Sequence, residues 1–203
     1  ELHRKATPIV LINRSVSEIA GNCITLDNEY GGYLATKSLL ELGHRNVAYI
    51  SGPRWKMDAN ERLAGHKRAL AEFGVRFNGK LTFEGDFHES AGRKRMAQLI
   101  GSRIPFSAVV CGNDEMAAGA MDVARENGLA IPDDVSVVGF DNVIFAHFTY
   151  PKLSTVDYPM IGIGEMAARW VLKNVYEQRA LEIQNLFKPE MIVRGSIGQL
   201  TGS

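Results

Sequence analysis

Short runs of β-branched and aliphatic residues alternate with helical hydrophobic patterns along most of this chain, and this alternation is the strongest constraint on its fold. The apolar runs that predict strands are Pro8–Ile12, Cys23–Leu26, Val47–Ser51, Leu81–Phe83, Ser107–Cys111 and Val135–Gly139. Helical spacing is found in residues 29–42, 58–73, 90–100 and 116–127. Apolar strands separated by helices are typical of a parallel sheet covered on both faces. The predicted fold class is therefore α/β with a doubly wound parallel sheet.

The pattern changes after Tyr150. A short strand is predicted at Leu153–Val156, then a long helix from Pro159 to about residue 178, and a last strand at Glu190–Arg194. Glycines 43, 74 and 128 follow three of the earlier helical segments, where glycine commonly ends a helix.

Charge and cysteine content narrow the function classes. The 203 residues carry 23 Lys and Arg against 23 Asp and Glu, so this chain lacks the excess positive charge with which proteins grip DNA phosphates. No apolar run approaches the roughly 20 residues of a membrane-spanning helix, and no secretory signal is visible, so we expect a cytoplasmic protein. Cys23 and Cys111 lie apart in apolar runs, and the histidines are scattered. These patterns predict buried reduced thiols, no metal and no cofactor.

Polar side chains directly follow the predicted strands, where parallel sheets bind ligands. They are Asn13-Arg14, Asp27-Asn28, Asn113-Asp114 and Asp141-Asn142, joined by Asp58 and Arg62 after the third strand and by Phe87 after the Leu81–Phe83 strand. Planar amide, carboxylate and guanidinium groups pair with vicinal hydroxyls, and an aromatic face suits the apolar side of a sugar ring. Helix capping is the alternative role for Asp27, Asp58 and Asp114.

Enzyme signatures are weak. The chain has neither a Gly-x-Ser-x-Gly elbow nor a phosphate-binding Gly-x-x-x-x-Gly-Lys loop. Gly162-Ile-Gly164-Glu-Met-Ala167 matches the dinucleotide-binding pattern, but Pro159 places both glycines inside a predicted helix. The basic cluster at residues 93–95 is typical of a solvated helix face. We therefore expect no enzymatic activity.

Seven segments, in unbroken order, resemble the lactose/galactose repressor family of bacterial transcriptional regulators. They are Pro-Ile-Val-Leu-Ile-Asn-Arg (8–14), Leu-Asp-Asn-Glu-Tyr-Gly-Gly (26–32), Leu-Leu-Glu-Leu-Gly-His-Arg-Asn-Val-Ala-Tyr-Ile (39–50), Glu-Arg-Leu-Ala-Gly (61–65), Asn-Asp-Glu-Met-Ala-Ala-Gly-Ala (113–120), Ser-Val-Val-Gly-Phe-Asp-Asn (136–142) and Leu-Ser-Thr-Val (153–156). Together with Asp157-Tyr158-Pro159, the first two resemble the galactose branch most closely.

This resemblance implies a periplasmic-binding-protein-like domain of type I, in which two lobes enclose a sugar or a purine. Residues 1–21 and 157–182 would be a remnant of the first lobe, and residues 22–156 and 183–198 would form the second. The strands that cross between lobes would lie near Ser15–Leu26, Leu153–Tyr158 and Phe187–Val193. The family's helix-turn-helix is not found in this chain, which we interpret as a fragment of a regulator.

The resemblance also implies site residues. The effector would contact Asn13, Asp58, Arg62, Phe87, Asn113, Asp141 and Tyr158, with the Arg62 guanidinium at the centre and Phe87 as an aromatic wall. Asn13 stands where the lactose repressor has an aspartate, so it keeps hydrogen bonding without the charge.

A homodimer is expected from the same resemblance. The candidate interface consists of Ala118 and Met121 on the 116–127 helix and of Phe148 and Tyr150 in the following segment. Packing in the core is the alternative for the helix.

The leading hypothesis is the effector-binding and dimerisation core of a repressor that couples sugar binding to release or gain of operator DNA. A periplasmic sugar-binding protein of an ABC transporter is the alternative, since it would have the same fold and pocket. A third hypothesis, a nucleotide-dependent enzyme, depends on Gly162 and Gly164. A helix-turn-helix ahead of Glu1 would favour the repressor, and a signal peptide would favour the transporter component.

Overall fold

The predicted alternation is present in the computed structural model, which describes residues 8–200. The helices are α1 (Asn28–Glu41), α2 (Met57–Glu72), α3 (Glu89–Gly101), α4 (Asp114–Glu126) and α5 (Met160–Asn174). The strands are β1 (Leu11–Ile12), β2 (Cys23–Leu26), β3 (Val47–Ser51), β4 (Thr82–Glu84), β5 (Ala108–Cys111), β6 (Ser136–Asp141), β7 (Ser154–Asp157), β8 (Leu186–Phe187) and β9 (Met191–Ile192).

These elements form two compact units within the described residues. The smaller unit comprises residues 8–27 and Pro159–Pro189, and the larger comprises Asn28–Tyr158 and residues 190–200. The boundaries therefore fall at 27/28, 158/159 and 189/190, where the sequence prediction placed them at 21/22, 156/157 and 182/183. Residues 1–7 of the predicted first-lobe remnant lie outside the described residues.

The larger unit contains a six-stranded sheet in the order β4-β3-β5-β6-β7-β9. All pairs are parallel except β7 with β9, which run antiparallel. The chain moves outward from β3 to β4, then returns past β3 to build β5, β6 and β7 on the other side. This reversal makes the crevice between β3 and β5 the topological switch point, where doubly wound sheets bind ligands at the carboxyl ends of their strands.

In the smaller unit, β1, β2 and β8 form a three-stranded parallel sheet. Helix α5 packs in the same unit through Ile163, Ala167 and Trp170, which are buried on one face at helical spacing. Gly162 and Gly164 both lie within α5, which confirms that they are helical residues rather than a phosphate-binding turn.

Burial explains why the strands are apolar throughout. All five residues of β3 and all four of β5 are buried, as expected where helices cover both faces of a sheet. Cys23 and Cys111 are buried free thiols, as predicted, and burial raises the pKa of Cys111 far above its ordinary value.

Helices α1 and α2 pack at very short distance because glycines face backbone across the interface. A Cβ atom on Gly32 would overlap the carbonyl group of Arg62, and one on Gly65 would overlap the carbonyl oxygen of Glu29. Gly92 and Gly119 allow the same close approach between α3 and α4. The first pair fixes the distance of α2 from its neighbour and so helps to place Arg62.

Two predicted helix caps are wrong. Helix α2 begins at Met57 after Lys56, and Asp58 lies inside its first turn, where Oδ1 accepts a hydrogen bond from the backbone N–H of Ala59. Asn113, rather than Asp114, caps α4 by accepting from the N–H of Met116 at 3.0 Å. Gly43, Gly74 and Gly128 follow their helices with φ of 92°, 68° and 78°, which confirms their predicted role as stops.

Residues 190–200 return to the larger unit and bond to strand β6. The Ser196 carbonyl accepts from the N–H of Val137 at 2.8 Å, and the Ser196 hydroxyl donates to the Val137 carbonyl at 2.6 Å. The Ser136 hydroxyl accepts from the Gly198 N–H at 3.0 Å. The final segment is therefore part of the sheet's hydrogen-bonding system.

Across residues 8–200, none of the helices has both the length and the apolar character needed to cross a membrane.

Candidate functional site

Six of the seven predicted site residues belong to the larger unit and lie at or just beyond the carboxyl ends of its strands. Asp58 and Arg62 are in α2 after β3, Phe87 follows β4, Asn113 follows β5, Asp141 ends β6 and Tyr158 follows β7. The seventh, Asn13, follows β1 in the smaller unit, where its N–H donates to the Ile24 carbonyl at 2.8 Å.

Arg62 is the centre of this edge of the sheet. Its side chain is 4% exposed, its Nε donates to Asn28 Oδ1 at 3.0 Å, and its Nη1 donates to the Gly112 carbonyl at 2.6 Å. The guanidinium carbon lies 3.6 Å from the centre of the Phe140 ring, a cation–π distance. Because Gly112 follows β5 and α2 follows β3, these contacts place the guanidinium at the switch point.

Asp141 is the carboxylate partner of Arg62. Its Oδ1 lies 3.4 Å from Arg62 Nη1, a long ion pair that leaves acceptor positions on the carboxylate. Burial raises the pKa of Asp141 to about 6; Arg62 acts in the opposite direction, and the carboxylates of Asp58 and Glu115 raise it further. At pH 7 the Asp141 carboxyl group is therefore mostly ionised, and an ionised carboxylate is a strong hydrogen-bond acceptor.

Phe87 forms an aromatic surface beside Arg62. Its ring covers Gly52, where a Cβ atom would overlap it, and its centre lies 5.9 Å from the Arg62 guanidinium carbon. Lys56 Nζ lies 5.2 Å from the Phe87 ring centre and 5.4 Å from that of Trp55. The sheet edge therefore offers an aromatic face next to two cationic groups.

Asn113 connects this aromatic surface to α4. While its Oδ1 caps the helix, its Nδ2 donates to the Phe87 carbonyl at 2.8 Å. Phe87 has φ of 74°, a left-handed conformation that non-glycine residues adopt rarely. The Asn113 amide thus caps α4 through its oxygen and holds the Phe87 backbone through its nitrogen. Each of these two atoms has one further hydrogen-bonding position.

Tyr158 and Asp58 complete the set. Burial raises the pKa of the Tyr158 phenol; the Arg62 charge opposes this, and the carboxylates of Asp141 and Asp58 add to it. The phenol therefore stays protonated at neutral pH and can donate a hydrogen bond. Tyr158 follows β7 next to Asp141 at the end of β6, and the Arg62–Asp141 pair connects these strand ends to α2, which also carries Asp58.

Sequence reasoning named Asn28 among the polar residues that follow the strands but not among the effector contacts, and it missed two further residues of this site. Asn28 orients Arg62. Phe140 stacks on the guanidinium, and Lys56 lies over Phe87. For these two the sequence offered no signal. An aromatic residue in an apolar strand and a lysine in a loop acquire such roles only through tertiary contacts.

The predicted interface residues have different surroundings. Met121 is 1% exposed and packs in the core beneath α4, so it is an interior residue rather than a surface one, while Ala118 is half-buried. Phe148 and Tyr150 are 77% and 87% exposed. Arg93, in the basic cluster, pairs with Glu126, Asp122 and Glu89 at the surface.

Among residues 8–200, no group of three or more His, Cys, Asp or Glu side chains has a geometry that could hold a metal ion.

Comparison with known protein families assigns most of the chain to one domain family. Residues 36–197 match the periplasmic binding protein-like domain. The chain is 38% identical to the HTH-type transcriptional regulator GalR of Escherichia coli K12 over 196 residues, which are 97% of this chain and 57% of that protein. It is 36% identical to the HTH-type transcriptional repressor PurR of Vibrio campbellii over 86% of this chain and 53% of the relative. The chain thus spans somewhat more than half the length of these relatives.

Solved structures show the same relationship. A sugar-binding transcriptional regulator of the LacI family from E. coli, in complex with phosphate, superposes with a TM-score of 0.92 at 30% identity, over 98% of this chain and 71% of that one. The regulator CelR with cellobiose has a TM-score of 0.82 at 31% identity, over 92% of this chain and 58% of that one. The sequence resemblance and the fold class are confirmed: this chain belongs to the LacI/GalR family of transcriptional regulators, in the part that forms the periplasmic binding protein-like domain.

Proposed function

We propose that this chain is the effector-binding and dimerisation core of a bacterial LacI/GalR-type repressor and that its effector is a sugar. Effector binding couples to release or gain of operator DNA, which a helix-turn-helix outside this chain contacts in the cytoplasm. The observation that carries the proposal is the buried Arg62 guanidinium, held at the switch point by Asn28 and Gly112 and paired with Asp141.

The chemistry of the site favours a polyhydroxylated ligand. Arg62, Asp141 and Asn113 present planar groups that donate to or accept from adjacent hydroxyls. Phe87 supplies a face for the apolar side of a sugar ring, and Tyr158 adds a protonated phenol. CelR, one of the structural relatives, was solved with cellobiose, and a LacI-family regulator of Enterococcus faecium was solved with ribose.

A sugar bound at this edge acts on transcription only through its different affinity for two arrangements of the protein. Such coupling free energies are typically about 1–3 kcal/mol, which changes operator affinity by roughly 5- to 150-fold. The relatives named above are transcriptional regulators. This favours the repressor over the periplasmic component of a transporter and over a nucleotide-dependent enzyme.

Isothermal titration of the 203-residue chain with D-galactose, D-ribose and cellobiose tests the proposal. We expect at least one sugar to bind saturably and to change the fluorescence of Trp55, which is 76% exposed and whose ring centre lies 5.4 Å from Lys56 Nζ, the ammonium group that also lies over Phe87. The Trp170→Phe background leaves Trp55 as the sole tryptophan, since the chain contains two. Asn113→Ala should weaken binding about tenfold because it removes one hydrogen-bonding group and the brace of Phe87.

Asn127→Ala is the matched control, since Asn127 lies at the opposite end of α4 and donates to the Val123 carbonyl. It should leave sugar affinity unchanged. Absence of binding by all three sugars, or equal losses in the two asparagine variants, would contradict the proposal.

We also propose that the segment containing Phe148 and Tyr150 is the contact surface of a homodimer. Exposed aromatic side chains in one segment are typical of interfaces. The neighbouring Ile144 is 74% exposed. Arg125 on α4 donates through Nη1 to the Tyr150 carbonyl, so the segment is anchored to the helix beside it.

Phe148→Glu combined with Tyr150→Glu should raise the dimer dissociation constant at least about tenfold, because buried aromatic anchors dominate interface energies. Sedimentation equilibrium measures this directly. Trp55→Glu, a change at a similarly exposed aromatic residue in another loop, should have no effect. A wild-type chain that remains monomeric at high concentration would refute the dimer.

A further inference from the structure

The turn after β6 has an unusual backbone. Asp141 and Asn142 have φ of 105° and 53°, so two consecutive non-glycine residues lie in the left-handed region. Such conformations persist where the surrounding structure holds them, and they cluster at functional sites. This turn determines where the Asp141 carboxylate meets Arg62.

One buried carboxylate holds the turn. Asp114 is fully buried at the start of α4; its Oδ2 accepts from the Val143 N–H at 2.9 Å, and its Oδ1 accepts from the Thr155 hydroxyl at 2.5 Å. The same Thr155 oxygen accepts from the Asn142 N–H at 3.3 Å. A single side chain thus links helix α4, the turn and strand β7.

The sheet leaves room for this carboxylate. A Cβ atom on Gly139 would overlap Asp114 Oδ1, so the carboxylate packs directly on the backbone of β6. Among residues 8–200, Asp114 forms no ion pair within 4.0 Å. Burial accordingly raises its pKa to about 7, against the lowering effect of the bonds from Thr155 and Val143. A buried, unpaired acid is unfavourable for stability alone, which argues for a role in the site.

We propose that Asp114 is a positioning residue: it fixes the Asp141–Asn142 turn so that the Asp141 carboxylate faces Arg62 and the effector. The effector part of this inference rests on the proposed function. The turn part depends only on contacts within the larger unit.

Two measurements on the intact chain test the turn without any ligand. In Asp114→Ala, hydrogen exchange of the Val143 N–H should accelerate at least about tenfold because its acceptor is gone. The titration midpoint of Asp141, followed by carboxyl ¹³C NMR, should fall from about 6 toward that of an exposed aspartate, since the side chain loses its partly buried position and the neighbouring Asp114 charge. Arg62, Asp58 and Glu115, the charged groups that also act on Asp141, are unchanged.

Asp114→Asn separates position from charge. Its amide oxygen can accept from Val143 and its amide nitrogen can donate to Thr155, so the turn should stay in place and Val143 should keep its protection. Because this variant also lacks the charge, the difference between the alanine and asparagine variants reports geometry. Thr36→Val, which removes a buried hydroxyl bonded to His66 at 2.9 Å, controls for general destabilisation.

The effector part is tested with whichever of D-galactose, D-ribose or cellobiose binds the wild-type chain. Asp114→Ala should weaken that sugar at least about tenfold, and Asp114→Asn and Thr36→Val no more than about threefold. If Asp114→Ala does not fold, Thr155→Val removes one of the two bonds to the carboxylate and should shift Val143 exchange and the Asp141 midpoint in the same directions.

Unchanged Val143 exchange and an unchanged Asp141 midpoint in folded Asp114→Ala would overturn the positioning role. Shifts in both with undiminished sugar affinity would overturn its connection to the effector. A wild-type chain that binds none of the sugars would refute the proposed function instead, and the two ligand-free measurements would still decide whether Asp114 holds Asp141.

Discussion

Arg62→Met is expected to abolish measurable sugar binding and to lower the free energy of unfolding by about 3–5 kcal/mol, the usual effect of removing one partner of a buried charge pair. Methionine fills much of the space of the arginine stem but donates no hydrogen bonds. The change leaves Asn28 Oδ1, the Gly112 carbonyl and the Asp141 carboxylate without their guanidinium donor. Urea unfolding and calorimetry with the binding sugar measure the two effects.

A second substitution shows how much of that loss belongs to Asp141. Combining Arg62→Met with Asp141→Asn should recover part of the stability, since the partly buried carboxylate that lost its partner is gone, but not the sugar affinity. Arg68→Met in the same helix is the matched control: Arg68 is half-exposed and pairs with Glu29 at 2.6 Å. It should cost less than about 1 kcal/mol and leave binding intact. Equal losses for Arg62 and Arg68 would contradict the central role of Arg62.

Gly65→Ala is expected to destabilise the protein by about 3 kcal/mol, the upper range for overpacking a well-packed interface. The new methyl group would overlap the carbonyl oxygen of Glu29, which belongs to the α1 backbone and cannot rotate away. Helix α2 must then move outward and carry Arg62 with it, so sugar affinity should fall together with stability. Thermal unfolding and calorimetry of the same sample measure both.

Gly164→Ala is the control, because Gly164 lies inside α5 and a Cβ there meets nothing within 4 Å. That change should stabilise the protein by about 0.5–1 kcal/mol through helix propensity alone. A Gly65→Ala variant with wild-type stability would show that the two helices are not held at contact distance.

Periodicity was enough to predict the five helices, the strands other than β8 and the sheet class. The strands β3 and β5 are buried on both faces, so their residues are apolar at every position, and this uniformity is visible in the sequence. The order of the strands is not visible there. It depends on which side of β3 each crossover returns, and only the folded chain shows that β4 lies on one side of β3 and β5 on the other.

The sequence predicted the roles of some site residues correctly and those of others wrongly. Arg62 was identified by its place in a family motif, and the structure gives it the buried, multiply bonded setting expected of a central guanidinium. The capping roles of Asp58 and Asp114 were wrong because a polar residue after a strand has two competing uses. Asn113 satisfies the helix end, which frees Asp114 to turn inward toward Val143 and Thr155. Only the relative positions of β6, β7 and α4 decide between those uses.

The return of residues 190–200 to strand β6 has a consequence for how the protein is made. Val137 bonds to Ser196, a partner 59 residues later in the chain, and the whole of 159–189 lies in between and belongs to the other unit. On a ribosome, strand β6 must wait for residues 190–200 before its hydrogen bonds to them can form. Such distant pairings slow folding, and the partly built sheet stays exposed meanwhile. Synthesis of residues 190–200 is thus the step that completes the hydrogen bonds of β6.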